Sequence, residues 1–452
     1  MVPHEDADVQ AGALAPGGTA ALGRPGGPSR ARLAGLFRLR DFRLLVTGEG
    51  VSLLGDQFLL VALPWLVLAV TRNLFVLGTV LAVQNIPRAL FMLVGGAVTD
   101  RFSPRGVMMA ANLVRLVAVS LLATVTLAGV VHVWTLYVFA LVFGLADGFF
   151  FPAQNAIVPQ IAGGQRLETA NAVVQGLEQV ALFIAPALAG LLIAGVAGGA
   201  RRLTGVGIAL AIDAATFVVS LLTLYLLRVR RFAPKEEAGA DGGVIAAIRA
   251  GLRYMWDDPT LRMLFTIIVA VNFLVIGPIL VGIPVIAARR LSEGAEGYGI
   301  IMSVFGGSSL VGIAAAGLLP RPPARLLGSM LLCLCAVFSV AMALVGLGQT
   351  LFQVAAPVFA MGLASGYLVV VFFSWLQGRT PAAMMGRMMS LILFASVGLV
   401  PVSQALSGAL MRVSVTALFV GSGLLLAALL VRAALTPSLR SMGVEMAAER
   451  RP

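Results

Sequence analysis

Long, nearly uninterrupted apolar stretches recur along almost the whole chain, separated by short polar turns. A helix needs about 20 mainly apolar residues to cross the hydrocarbon of a bilayer. Twelve such stretches are present, at 44–70, 74–98, 106–128, 132–155, 169–196, 204–228, 261–287, 297–319, 325–347, 350–376, 384–411 and 413–434. Backbone polar groups find no water in lipid, so each stretch must satisfy its own hydrogen bonds as a helix. Their continuous apolarity, without strand-like alternation, excludes a porin-type barrel. Only 12% of the residues are charged, about half the roughly 25% of a soluble domain. The fold class is therefore all-α: a polytopic membrane protein of twelve transmembrane helices.

A formal charge of +12 raises nucleic acid as a partner, but the basic residues sort to one side of the helix map. Roughly 24 of the 32 Lys and Arg lie in the termini and the loops on that side, about six lie opposite and two lie inside spans. Such sorting is the positive-inside rule. It places both termini in the cytoplasm and the chain in the inner (plasma) membrane, with the bilayer and not nucleic acid as partner. Residues 1–36, rich in Ala, Gly and Pro without an apolar core, read as a disordered cytoplasmic tail and not as a signal or transit segment. The cysteines, Cys333 and Cys335, fall mid-helix, where small packing residues are expected rather than a disulfide or metal site. No cofactor is expected, and a monomer is the expected state.

The two halves repeat each other. Arg43 corresponds to Arg262, Pro64 to Pro284, Gly78 and Gly96 to Gly299 and Gly317, and Phe150, Phe151 and Pro159 to Phe372, Phe373 and Pro381. The offset stays between 219 and 222 throughout, which marks a six-plus-six duplication of the kind that places a substrate path at the repeat interface. Residues 37–228 then form one six-helix bundle and 261–435 the other. Residues 229–260 form a cytoplasmic linker, in which Val244, Ile248, Leu252 and Met255 are spaced for the apolar face of an interfacial helix. Residues 436–452 form a second cytoplasmic tail.

The turn after the second span reads Gly96-Ala-Val-Thr-Asp100-Arg101-Phe-Ser-Pro-Arg105. It resembles the signature loop of the major facilitator superfamily, with Ser103 or Pro104 in place of a Gly and Arg105 alone remaining of a basic pair. The segments Arg40-Asp41-Phe42-Arg43, Pro152-Ala-Gln154 to Pro159, and Gln377-Gly-Arg379-Thr-Pro381 are similar to the branch that includes macrolide-efflux proteins, enterobactin exporters and lysophospholipid transporters. Ala185-Pro186-Ala-Leu-Ala-Gly190 looks like a reduced antiporter motif, in which small residues also permit tight helix packing. The resemblance implies two pseudo-symmetric six-helix bundles and a conformational gate of Gly96, Asp100, Arg101 and Arg105. In that gate Asp100 caps a neighbouring helix and Arg101 pairs with a carboxylate, for which Asp147 is the expected partner. The antiporter-like residues Pro186 and Gly190 point to export.

A charge at the bilayer centre costs at least about 2.5–3.5 kcal/mol, so it marks a cavity or a partner. The candidates are Glu49, Asp56, Arg88, Arg115, Asp147, Glu178 and Asp213, all in the first half. The family fold ranks the first, fourth, seventh and tenth spans as cavity-lining and the third, sixth, ninth and twelfth as outer. On that ranking Asp56 is the leading protonation site, Glu49 shares its helix face, and Arg88 is counter-ion to either. Glu178 serves coupling or a cationic substrate, whereas Asp213 and Arg115 make structural hydrogen bonds. Phe149, Phe150, Phe372, Phe373 and Trp375 either line an apolar cavity or pack at helix ends.

Enzyme chemistry has little support: His4 and His132 are the only histidines, and no nucleophile elbow, phosphate loop or metal-ligand spacing occurs. The expected function is a proton-coupled exporter of a hydrophobic or amphiphilic small molecule, such as a drug, a macrolide-like natural product or a siderophore. Lysophospholipid movement and solute uptake are the alternative transport readings, and a membrane receptor or scaffold is the non-transport one.

Overall fold

The computed structural model describes residues 30–163, 166–196, 203–228, 253, 255–319, 323, 326–380, 384, 388–389, 391–392, 395–396 and 398–436, without the side chains of 30–32, 93, 100 and 378. Of the apolar positions expected on an amphipathic helix, Val244, Ile248 and Leu252 lie outside these residues, while Met255 is described and fully buried. A short helix α1 (Arg30–Phe37) precedes α2 (Arg40–Thr71), α3 (Leu74–Arg101), α4 (Pro104–Ala128), α5 (Val133–Ala162), α6 (Leu167–Gly195) and α7 (Thr204–Leu226). The second half runs through α8 (Pro259–Arg290), α9 (Ala295–Leu318), α10 (Leu327–Leu347), α11 (Leu351–Arg379), α12 (Val400–Leu410) and α13 (Val415–Leu435). Among the described residues, 11 helices are long and apolar enough to cross a membrane. The span at 384–411 is described only in part.

Helix boundaries follow local chemistry. Asn73, Ser103, Asp258, Thr350 and Ser414 cap helix starts with their side-chain oxygens, and Pro104 and Pro259 occupy first-turn positions that need no N–H. Gly129 ends α4 at φ 74°, where a Cβ would be strained. Large apolar side chains such as Leu90, Leu121, Leu222 and Leu424 are exposed, as lipid-facing residues must be, while Glu49, Arg115, Asp147 and Asp213 are buried. One expectation is corrected here. Residues 30–36 are not part of an unstructured tail, because Leu36 is fully buried and Phe37 packs edge-on against Phe42 at 5.6 Å.

The first half packs α2 against α6 and α7, α3 against α5, and α4 against α5 and α7; the second packs α9 against α11, α10 against α11 and α13, and α8 against α12. The halves meet along two seams, α6 with α9 and α3 with α12. Both seams lie toward the bundle face that carries the turns at 72–73, 129–132 and 291–294, here the distal face; the opposite, terminal face carries the chain ends. Gly190 sits against the Ala295 carbonyl and Gly299, and Gly78 against Gly408, so these backbones approach more closely than any larger residue allows. Tyr298 Oη donates to the Leu60 carbonyl at 3.1 Å, Ala187 N–H to Ser303 Oγ at 2.9 Å, and Asn85 Nδ2 to Gln404 Oε1 at 3.2 Å. Among the described residues the distal seams are therefore held by glycine contacts and neutral hydrogen bonds.

Candidate functional site

Beneath the distal seam lies a cavity of ≈ 430 Å³. Among the described residues its wall is almost entirely first-half: Asp56 and Gln57 from α2, Gln84, Asn85 and Arg88 from α3, Arg115 from α4, Phe143, Asp147 and Phe151 from α5, and Glu178 and Gln179 from α6. The second half contributes Leu280, Tyr298 and Gln404. The one-sided distribution of charge along the chain thus becomes a one-sided cavity.

Packing explains why these side chains converge. Gly144 lies against the Gln84 carbonyl and Gly148 against Phe91 and the Arg88 carbonyl, so α3 and α5 nearly touch. That approach sets Arg88 beside Asp147, Nη1 to Oδ2 at 4.0 Å, and over the Phe151 ring at 4.2 Å. From α4, Arg115 is ion-paired to Oδ1 of the same Asp147, stacked 4.0 Å over Phe150, and flanked by Phe143 and Phe217. Asn112, one turn before Arg115, bonds Ser220 of α7 at 2.9 Å.

Several expected roles change. Asp147 is not the partner of Arg101: it lies mid-helix, some 15 residues or roughly 22 Å from the α5 end nearest Arg101, and two other arginines hold it. Arg88 is ion-paired to Asp147 rather than to Asp56 or Glu49. Arg115 is not a peripheral structural group, since its long side chain carries the guanidinium from an outer helix to the cavity wall. Arg105 donates from Nε to the Leu224 carbonyl at 2.8 Å and from Nη2 to the Tyr225 carbonyl at 2.7 Å, closing the end of α7 within its own half. Arg101 is exposed, no residue crowds Gly96, and the Asp100 side chain lies outside the described set.

Glu49, two turns from Asp56 on α2, is buried away from the cavity and accepts from Gln154 Nε2 at 2.7 Å. Asp213 is fully buried behind Gly55, and neither of its oxygens has a hydrogen-bond partner among the described residues, so the expected structural bonds are absent. Asp56 faces the cavity within electrostatic range of Arg115, Asp147 and Arg88. Pro186 and Gly190 lie in the α6–α9 seam. Of the aromatics, Phe150 is buried beneath Arg115, and Phe372 and Phe373 pack on each other at 5.5 Å; among the described residues, Phe151 and Phe143 are the phenylalanines on the cavity wall.

The sequence reading missed Phe151, the amides Gln57, Gln84, Asn85 and Gln179, and the inward reach of Arg115. A signal for Arg115 was available: Asn112 and Arg115, three apart, share one face of an otherwise apolar helix.

Residues 45–403 match the family model of the Major Facilitator Superfamily. The chain is similar to the multidrug efflux pump Tap of Mycolicibacterium fortuitum, 28% identical over 216 residues that cover 46% of this chain and 51% of that protein. Tap of Mycobacterium tuberculosis is 25% identical over 361 residues, 79% of this chain and 83% of that one. Macrolide efflux protein A of Streptococcus pyogenes is 22% identical over 226 residues, 50% and 54%. The first and last matches thus span about half the length of those relatives. In fold, the chain is similar to the nucleoside transporter NupG, with a TM-score of 0.68 at 13% identity, covering 87% of this chain and 98% of that one. A bacterial homologue of the iron transporter ferroportin in an inward-facing state also has a TM-score of 0.68, at 15% identity over 88% and 99% of the two chains.

Proposed function

The chain is a member of the major facilitator superfamily, and from that premise we propose that it exports hydrophobic or amphiphilic small molecules in exchange for protons. It does so as a monomer of two six-helix bundles, 37–228 and 261–435, in the plasma membrane with both termini cytoplasmic. The terminal face is then the cytoplasmic one, and closure along the distal seam makes this conformation inward-facing. The observation that carries the reading is the cavity itself: apolar walls of Leu59, Leu63 and Leu182 surround three carboxyl groups, Asp56, Asp147 and Glu178. Similarity to drug and macrolide efflux proteins supports the direction and the cargo class.

Asp147 has two guanidinium partners, whereas Asp56 makes no ion pair among the described residues. A bare carboxylate resists closure of a low-dielectric cavity, so a proton on Asp56 lets the cavity close and its release on the other side resets the cycle. Glu178 is the second candidate for this exchange.

The test is a panel of drugs and natural products in proteoliposomes with an imposed proton gradient, read in both directions. We expect gradient-driven efflux that Asp56→Asn abolishes while the variant remains folded in the membrane. Driven efflux unchanged in that variant removes Asp56 from the mechanism, and movement only down the proton gradient's own direction makes the chain an uptake symporter.

A further inference from the structure

Asp147 serves two guanidinium groups, and they are not held alike. Arg115 is 1% exposed and ion-paired to one carboxyl oxygen over the Phe150 ring. Arg88 stands 4.0 Å from the other oxygen, its side chain is 32% exposed, and its Nε has no hydrogen-bond partner among the described residues. What chiefly seats it is the ring of Phe151 at 4.2 Å. Ring and carboxylate both face the cavity. The place Arg88 fills is therefore a cation cradle with one aromatic face and one carboxylate, occupied by a flexible and weakly anchored side chain.

We propose that the Phe151–Asp147 cradle is a subsite for the cationic head of an organic cation, and that Arg88 is its tethered competitor. A substrate ammonium enters over Phe151 and beside Asp147 Oδ2, and Arg88 swings toward Asp56, which lines the same cavity. Arg115 stays in place and keeps Asp147 oriented. The apolar body of the substrate lies against Leu59, Leu63 and Leu182 on the same cavity wall. This inference rests on the exporter reading and narrows its cargo to amphiphiles that carry a permanent or protonated amine. Anions are disfavoured, because Arg88, the more exposed of the two arginines on the cavity wall among the described residues, is ion-paired to Asp147.

Equilibrium binding of radiolabelled tetraphenylphosphonium to the purified full-length chain in detergent tests it without any transport step, with tetraphenylborate as a size-matched anion. Arg88→Gln removes the competitor and should tighten tetraphenylphosphonium binding on the order of tenfold, with no gain for tetraphenylborate. Phe151→Leu keeps the apolar volume but loses the π face and should weaken binding by a similar factor, which Phe151→Trp restores. Melting curves matching the wild type establish that each variant is folded, and Phe151→Met, which also lacks the π face, stands in if Phe151→Leu is not. Unchanged or weaker cation binding in Arg88→Gln, an equal gain for both ions, or no cation binding in any variant overturns the subsite. That result with proton-driven efflux intact leaves the exporter standing; the cradle results without driven efflux leave a cation-binding protein and remove the exporter.

Discussion

Arg115 and Asp147 form a buried ion pair in an aromatic shell. Two charges out of water are tolerated only because each satisfies the other and because three rings, Phe143, Phe150 and Phe217, face the guanidinium. Arg115→Leu leaves Asp147 with Arg88 alone, at 4.0 Å, and should destabilise the protein by about 3–5 kcal/mol. The double variant Arg115→Leu, Asp147→Leu removes both charges and should recover most of that loss. Thermal melting of purified protein measures both, and a double variant no more stable than Arg115→Leu contradicts the pairing argument. Asp213 is fully buried, and neither of its carboxyl oxygens has a hydrogen-bond partner among the described residues.

Among elements, the seams between α6 and α9 and between α3 and α12 depend on residues without side chains. A leucine at Gly190 would meet the Ala295 carbonyl and the Gly299 backbone, so Gly190→Leu should part the distal seam. With Cys333 and Cys335 replaced by serine, a reporter at the cavity-lining position Leu280→Cys should then react faster with a membrane-impermeant thiol reagent added from the distal side. Equal rates in the two backgrounds would show that the seam does not close the cavity. Arg105 gives the opposite signature, because its bonds to the ends of α7 stay inside one half. Arg105→Ala should lower stability by about 1.5–3 kcal/mol, the worth of hydrogen bonds from a charged group, with the Leu280→Cys labelling rate unchanged. In α8 a π-helical turn at Asn272–Ile276 frees the Phe273 carbonyl, and Ser403 of α12 takes it up, so the irregular turn is held by a specific partner.

For the whole molecule, alternation between two faces requires the closed seam to be only slightly more stable than its alternative. Tyr298→Phe removes the donor to the Leu60 carbonyl, a bond worth about 0.5–1.5 kcal/mol, and should enlarge the distally open population roughly 2- to 12-fold. Spin-label distances across the distal seam measure that population; an unaltered distribution would mean that the glycine contacts alone close it. Composition and periodicity by themselves determined that the chain spans the membrane as helices, where eleven of the described spans lie, and which ionisable residues stand inside the bilayer. Hydrophobic length and charge are properties of consecutive residues, so they can be read along the chain. Partners cannot: whether Asp147 meets Arg101, Arg88 or Arg115 depends on how closely α3 and α5 approach at Gly144 and Gly148 and on how far an arginine extends beyond its helix. Only the packing of the helices sets Glu49 outside the cavity and brings Arg115 into it from an outer helix. Each of these is a distance between residues far apart in sequence, set only when the helices pack.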